Sequence, residues 1–334
     1  MDISRTEVED TMIELYLVKP NEMIEIPTES ITWTGQRYKA ARKIMANVLY
    51  TDKGGLQYTK VEEGNTVLFK WKGKELFRGT VFSKNKSKSG LLNLVAYDML
   101  HFLLVNKDVY VFNKRRADQI ITRICRDFQI PYASIANTGT VLNEIHTNEM
   151  TLYDMALSAI INTEKQSGIR YNLLSEKGKL ILEEQKIPSD QWVLETGVNL
   201  IDYNYSTSIE ETATQVKLVS GDEKTPISVT VTDSDGQKKF GVLQHFEKVT
   251  DQLNRAQMTS RANTLLNQKK GIQKELDTTS LGIPEIISGK PIYVIENEIG
   301  VKGTHYVDED THTFKGEHHE MQLKLITRNT RAVL

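Results

Sequence analysis

The sequence predicts an α+β protein that is mainly β, with two β-rich regions flanking a small α+β unit. Two observations carry this. Apolar residues alternate at period two near both ends of the chain, whereas helical spacing dominates the middle. Length agrees: 334 residues at roughly 150 per domain suggest two or three domains, and a 39% hydrophobic content is enough for real cores.

The first third reads as strands. From Lys43 to Thr51, Ile44, Ala46, Val48 and Tyr50 share one face, and Asn65–Trp71 repeats the pattern with Val67, Phe69 and Trp71. Lys72-Gly73-Lys74 reads as a turn, with Leu76–Ser83 returning. The basic run from Lys84 to Gly90 reads as a hairpin tip, followed by a strand over Leu91–Ala96. Short strands separated by turn signals favour a small barrel or sandwich.

After Tyr97 the period changes. Ile120, Ile121, Ile124, Cys125 and Phe128 fall at helical spacing, with Pro131 expected to stop the helix. Thr151, with Asp154 three residues on, caps a second helix carrying Leu152, Met155, Ala156, Ala159 and Ile160, and Gly168 ends it. A hairpin follows from Arg170 to Glu184. Pro188 opens the second β-rich stretch, with strands at Leu200–Ser206, Gln215–Ser220 and Ile227–Thr232 and a turn at Asp233–Gly236. A helix is expected over about 250–270, ended by Gly271. Strands resume at Ile292–Glu296, Thr304–Val307 and Glu320–Ile326.

Charge and motifs exclude several classes. Lys+Arg 42 against Asp+Glu 44 gives a net charge of −2, which offers no net field for a nucleic-acid backbone or an anionic membrane. No stretch approaches the roughly 18 to 20 apolar residues of a spanning helix, and the acidic N-terminus lacks a signal-peptide layout, so no membrane insertion is expected. The single Cys125 rules out an internal disulfide framework and lies on an apolar stripe, so it reads as a small buried hydrophobe. Neither a phosphate-binding loop, a GxGxxG, an HExxH nor a Gly-x-Ser-x-Gly elbow occurs. His312 and His318-His319 could meet across a hairpin; the reading preferred over a metal site is polar positions on adjoining strands. Asp233 and Asp235 resemble the start of a calcium loop, but the twelfth position is Gln244, so a solvated turn is preferred. Trp33, Trp71 and Trp192 are expected in cores. No catalytic, cofactor or metal residue is assigned, and no small-molecule substrate is expected. Lys84, Lys86 and Lys88 are the candidate contact loop.

The order of segments adds what chemistry does not. ITWTGQRYKAARKIMANVL, GNTVLFKWKGKELFRGTVF and LVAYDMLHFLLVNKDVYVF resemble the XkdQ-type baseplate hub proteins of contractile phage tails and phage-derived bacteriocin particles. The resemblance continues through ADQIITRICRDFQIPYASIANTG and MTLYDMALSAIINTEKQSGIRYNLL. The closing part, with Val307, His312, Phe314, Met321, Leu323 and Leu325, looks like the end of the wider late-control protein D family. This implies a tail-tube-like β-barrel over 1–105, an α+β middle over 106–190, and a second barrel over 191–334 with the helix near 250–270 inserted. It also implies a non-enzymatic homotrimer that adapts a sixfold tail tube to a threefold spike. The implied partners are other copies of the chain, the tail tube protein, the central spike, the tape-measure protein, a LysM-type tube/hub connector and the baseplate wedge proteins. The implied location is the baseplate of a particle assembled in the bacterial cytoplasm. The competing readings are a cell-wall hydrolase, with His312 and His318 as first suspects, and a tube or sheath subunit.

Overall fold

The computed structural model describes residues 12–39, 41–50, 60–88, 90–186, 188–220, 227–249 and 254–326. It is mainly β, at 54% strand and 19% helix. Seven strands come first: β1 (Ile13–Val18), β2 (Met23–Glu25), β3 (Thr28–Gln36), β4 (Lys43–Leu49), β5 (Thr66–Trp71), β6 (Lys74–Lys86) and β7 (Leu91–Tyr97). Then follow α1 (Leu100–Val105), β8 (Lys107–Arg116), α2 (Ala117–Asp127), β9 (Tyr132–Ile135), β10 (Val141–Thr151), α3 (Leu152–Ser167), β11 (Tyr171–Glu176) and β12 (Lys179–Glu184). Next are β13 (Val193–Glu195), β14 (Leu200–Ser208), β15 (Gln215–Ser220), β16 (Ile227–Thr232), α4 (Ser234–Phe240), β17 (Gln244–Val249) and α5 (Arg255–Lys269). The last four are β18 (Gln273–Leu281), β19 (Pro291–Glu296), β20 (Val301–Lys315) and β21 (His318–Ile326).

Two compact units result, one comprising residues up to Tyr203 with Asp277–Leu325, the other Asn204–Leu276. A 13-stranded sheet runs in the order β14-β18-β21-β20-β3-β4-β7-β6-β5-β1-β2, with β13 and β19 branching from β20; of β14 and β18 only residues 200–203 and 277–281 belong to the first unit. The order is an open path, so no closed barrel is recorded among the described residues. Strand β20 makes the join. Its first part pairs with β19, and Glu309–Lys315 then run antiparallel to Gln36–Ser30 of β3. The β-rich ends of the chain thus share one sheet. Period two explains its buried face: Ile31 and Trp33 on β3, Ile44, Ala46 and Val48 on β4, and Leu92, Leu94 and Ala96 on β7 are all buried. Phe314 of β20 completes that core, edge-on to Phe69 at 4.9 Å between centroids.

Within the same unit, α2 and α3 organise a second core, with Ile120, Ile121, Ile124, Leu152, Met155 and Ala159 all buried. The Thr151 hydroxyl accepts from the Asp154 N–H at 3.0 Å, and Gly168 closes α3 at φ 75°. Helix α2 ends at Asp127, before the expected stop at Pro131. Gln129 turns left-handed at φ 53°, so its N–H reaches Arg126 O and the Ile130 N–H reaches Cys125 O.

In the second unit β16, β15 and β17 form a sheet, with β15 and β17 parallel. Met258, Ala262 and Leu266 of α5 pack with Val216, Leu218 and Val229. Two expectations are corrected. Asp233–Gly236 is not a turn after a strand but the start of α4, because the Asp233 carboxylate accepts the Gly236 N–H at 3.2 Å and caps a helix. Trp192 is not a core residue: it is 50% exposed beside the short β13.

Candidate functional site

The basic run is split by the fold. Lys84 and Lys86 lie on the exposed end of β6, and only Lys88 falls in the turn towards β7. Lys84 Nζ donates to Val61 O at 3.1 Å and pairs with Glu63 at 3.0 Å. Lys86 Nζ sits 4.3 Å from the Tyr50 ring centroid. Lys84 and Lys86, on β6, are thus held by different partners, and Lys88 lies beyond the strand, so the run is not one hairpin tip.

A buried polar cluster does converge, where β3, β4, β20 and β21 meet. Arg42, just before β4, donates to Asp310 on β20 through both terminal nitrogens, at 2.9 and 2.5 Å. The side chains are only 9% and 0% exposed, so this fork replaces the water that both charges lose. The Ser288 N–H also donates to Asp310 at 2.6 Å, and the Arg42 guanidinium stacks 4.1 Å over the Trp33 ring. Gly35 makes room: a Cβ there would fall 2.1 Å from an Arg42 nitrogen. On the other side, Asp98 accepts from the Arg42 and Leu100 N–H groups at 3.2 and 3.0 Å, and burial pushes its carboxyl up to about 7.

Two histidines extend the cluster. His312 Nε2 lies 2.9 Å from Ile286 O, and His312 Nδ1 lies 2.9 Å from His319 Nε2. One tautomer satisfies both contacts: His312 donates to the carbonyl from Nε2, and His319 donates from Nε2 into His312 Nδ1. Burial, with Arg42 adding to it, pushes His312 down to about 4. Burial, His312 and Lys72 push His319 down to about 3. Both rings are neutral at neutral pH. The His319 ring stacks on Phe314 at 4.0 Å, and a Cβ on Gly282 would fall 2.1 Å from it.

A cleft of ≈ 500 Å³ opens beside this cluster within the first unit, lined by Trp33, Arg42 and Phe77 and by Tyr153, Leu157 and Tyr171. Ion pairs Lys74–Glu285 at 2.5 Å and Lys290–Glu183 at 2.7 Å stand at its margin. Among the described residues no group of three or more His, Cys, Asp or Glu side chains could hold a metal. Cys125 is buried, and burial raises its thiol to about 11, well away from a reactive thiolate. Sequence reasoning brought His312 to its neighbour's hairpin but missed Arg42 and Asp310. Their partnership spans 268 residues, and the one local signal was an acid at an inward-facing strand position.

The fold is one seen in phage tail proteins. The crystal structure of the 43 kDa tail protein of prophage MuSo2 from Shewanella oneidensis is similar with a TM-score of 0.72 at 14% identity, covering 94% of this chain and 97% of that one. The chain matches the YQBQ-like family over residues 31–326, and it belongs to that family. Two relatives from Bacillus subtilis (strain 168) are each 49% identical over 321 residues, 96% of this chain and 98% of theirs: the uncharacterized protein YqbQ and the phage-like element PBSX protein XkdQ. The resemblance read from the segment order is therefore borne out. The chain thus has the fold of phage tail proteins and a close relative in a phage-like element.

Proposed function

We propose that the protein is the non-enzymatic baseplate hub of a contractile phage tail or phage-tail-like bacteriocin. Three copies form a ring that adapts a sixfold tail tube to a threefold spike. The observation that carries this is the similarity to the phage-like element PBSX protein XkdQ along essentially the whole chain. Symmetry supplies the physical argument: a threefold ring meets a sixfold one on a common axis when each subunit presents two similar parts. Residues 1–105 and 191–334 are those parts, with 106–190 between them. The neighbours of such a hub are the tube protein, the spike, the tape-measure protein, a LysM-type connector and the wedge proteins. The exposed arm carrying Lys84, Lys86 and Lys88 is a contact element toward one of them.

Quantitative mass spectrometry of gradient-purified particles tests this. About three copies per particle, beside a far more abundant tube protein, is the expected result. Dozens of copies would make the chain a tube or sheath subunit. Absence from particles would end the structural reading. For the non-enzymatic part, particles carrying His312→Asn or His318→Ala that still assemble should kill or infect as the parent does.

A further inference from the structure

Two exposed apolar patches of the first unit are unexplained by its own packing. One lies where β13 passes into β14: Trp192, Val193, Val198 and Ile201 are 50, 38, 69 and 59% exposed, and Leu281, whose N–H donates to Asn199 O, is 54% exposed. The other lies on β8, where Val109 and Val111, two residues apart on one face of the strand, are 59 and 62% exposed. Exposed apolar clusters of this kind mark sites where another surface docks.

Backbone and charge point the same way. Strand β14 closes one end of the large sheet, and β8 pairs with β10 alone, so among the described residues each has an edge without a partner strand. An open edge bearing apolar side chains is a template for strand addition. The β14 edge carries exposed acids: Asp202 lies on the strand, and the Tyr203 hydroxyl donates to Glu298 at 3.1 Å. On β8 the exposed charges are Lys107, Lys114 and Arg115 against the single Asp108.

We infer that the β14 edge of one copy docks on the β8 edge of the next, the occupant of each patch being a second copy of this chain. This inference rests on the trimeric hub reading. A contact between two different surfaces of the same chain is head-to-tail, and such contacts close into a ring when the rotation between neighbours divides a full turn, as a third of a turn does. Three of them give a ring with no apolar patch of either kind left open. Opposite charge at the rims fixes which edge meets which.

Cysteine cross-linking in assembled particles tests the assignment. The variants are Ile201→Cys with Val111→Cys, and Ile201→Cys with Val109→Cys to cover a register shift of two. Facing strand positions lie within the roughly 4.4–6.8 Å Cα separation that a disulfide needs. Cys125 stays silent because it is buried. Oxidation of one double variant should convert the monomer band into a covalent trimer, with each single variant giving less than a tenth of that yield. If about three copies are present yet neither double variant exceeds the single ones, the assignment is wrong while the hub stands. A cross-link of Ile201→Cys to itself or to a different protein overturns it equally. A copy number far from three removes the hub reading and this inference with it.

Discussion

Single atoms decide the stability of the buried polar cluster. Asp310→Asn leaves the Arg42 guanidinium buried without a counter-charge, a loss of about 3–5 kcal/mol. Chemical denaturation of the purified chain should show the midpoint falling by that measure, and the Arg42→Met, Asp310→Leu pair should recover much of it. Gly282→Ala drives a methyl into the His319 ring and should cost about 1–3 kcal/mol by the same assay. The histidines set the acid limit. An imidazole that the fold keeps neutral stabilises above its ordinary value of 6.5, and the contribution is lost as pH falls through the depressed value. Thermal midpoints should therefore fall between about pH 6.5 and 3. Asp98 works the other way: raised to about 7, it stabilises below its ordinary 3.8 and loses this as pH rises through 7. Two depressed imidazoles against one raised carboxyl leave a net loss toward acid. His319→Gln keeps a donor for His312 without a titrating ring, and its midpoint should fall less below pH 6.

At the scale of elements, helix ends give the sharpest expectations. Thr151→Ala removes the cap of α3 and should cost about 1 kcal/mol, whereas Thr151→Ser should be nearly neutral in the same melt. Gln129→Gly relieves a left-handed residue at the end of α2 and should stabilise by up to about 1 kcal/mol. These ends also show what the sequence could disclose. Thr151 with Asp154, and Gly168, were legible because capping is local: the partner lies three or four residues away. Strands β4, β5 and β7 were legible because one buried face imposes period two. Strand β8 was not, since its valines face solvent and its alternation runs the wrong way round for a core. Asp233 looked like a turn because an Asx turn and a helix cap begin alike. Trp192 broke the expectation that large aromatics are buried, and it lies in the patch assigned above to another copy. The Arg42–Asp310 fork was invisible for a different reason: neither residue carries any local mark of the other.

For the whole molecule, the decisive feature is that β20 pairs with β3. Ending the chain after Gly300 removes Asp310, His312 and Phe314 together, so β3 keeps an open apolar edge and Arg42 an unpaired charge. Such a fragment should be recovered almost entirely in the insoluble fraction, unlike the full chain. The same feature sets a clock on synthesis. Gln36 and Glu309, partners across this pairing, are 273 residues apart. At roughly 5–20 residues per second, the ribosome needs about 14 to 55 s to deliver the second after the first. Through that interval the amino-terminal strands wait with the β3 edge uncovered, and the sheet can be completed only in chains whose translation has passed β20. The order of the gene thus fixes that the large sheet is completed late, by one of the last strands to be made.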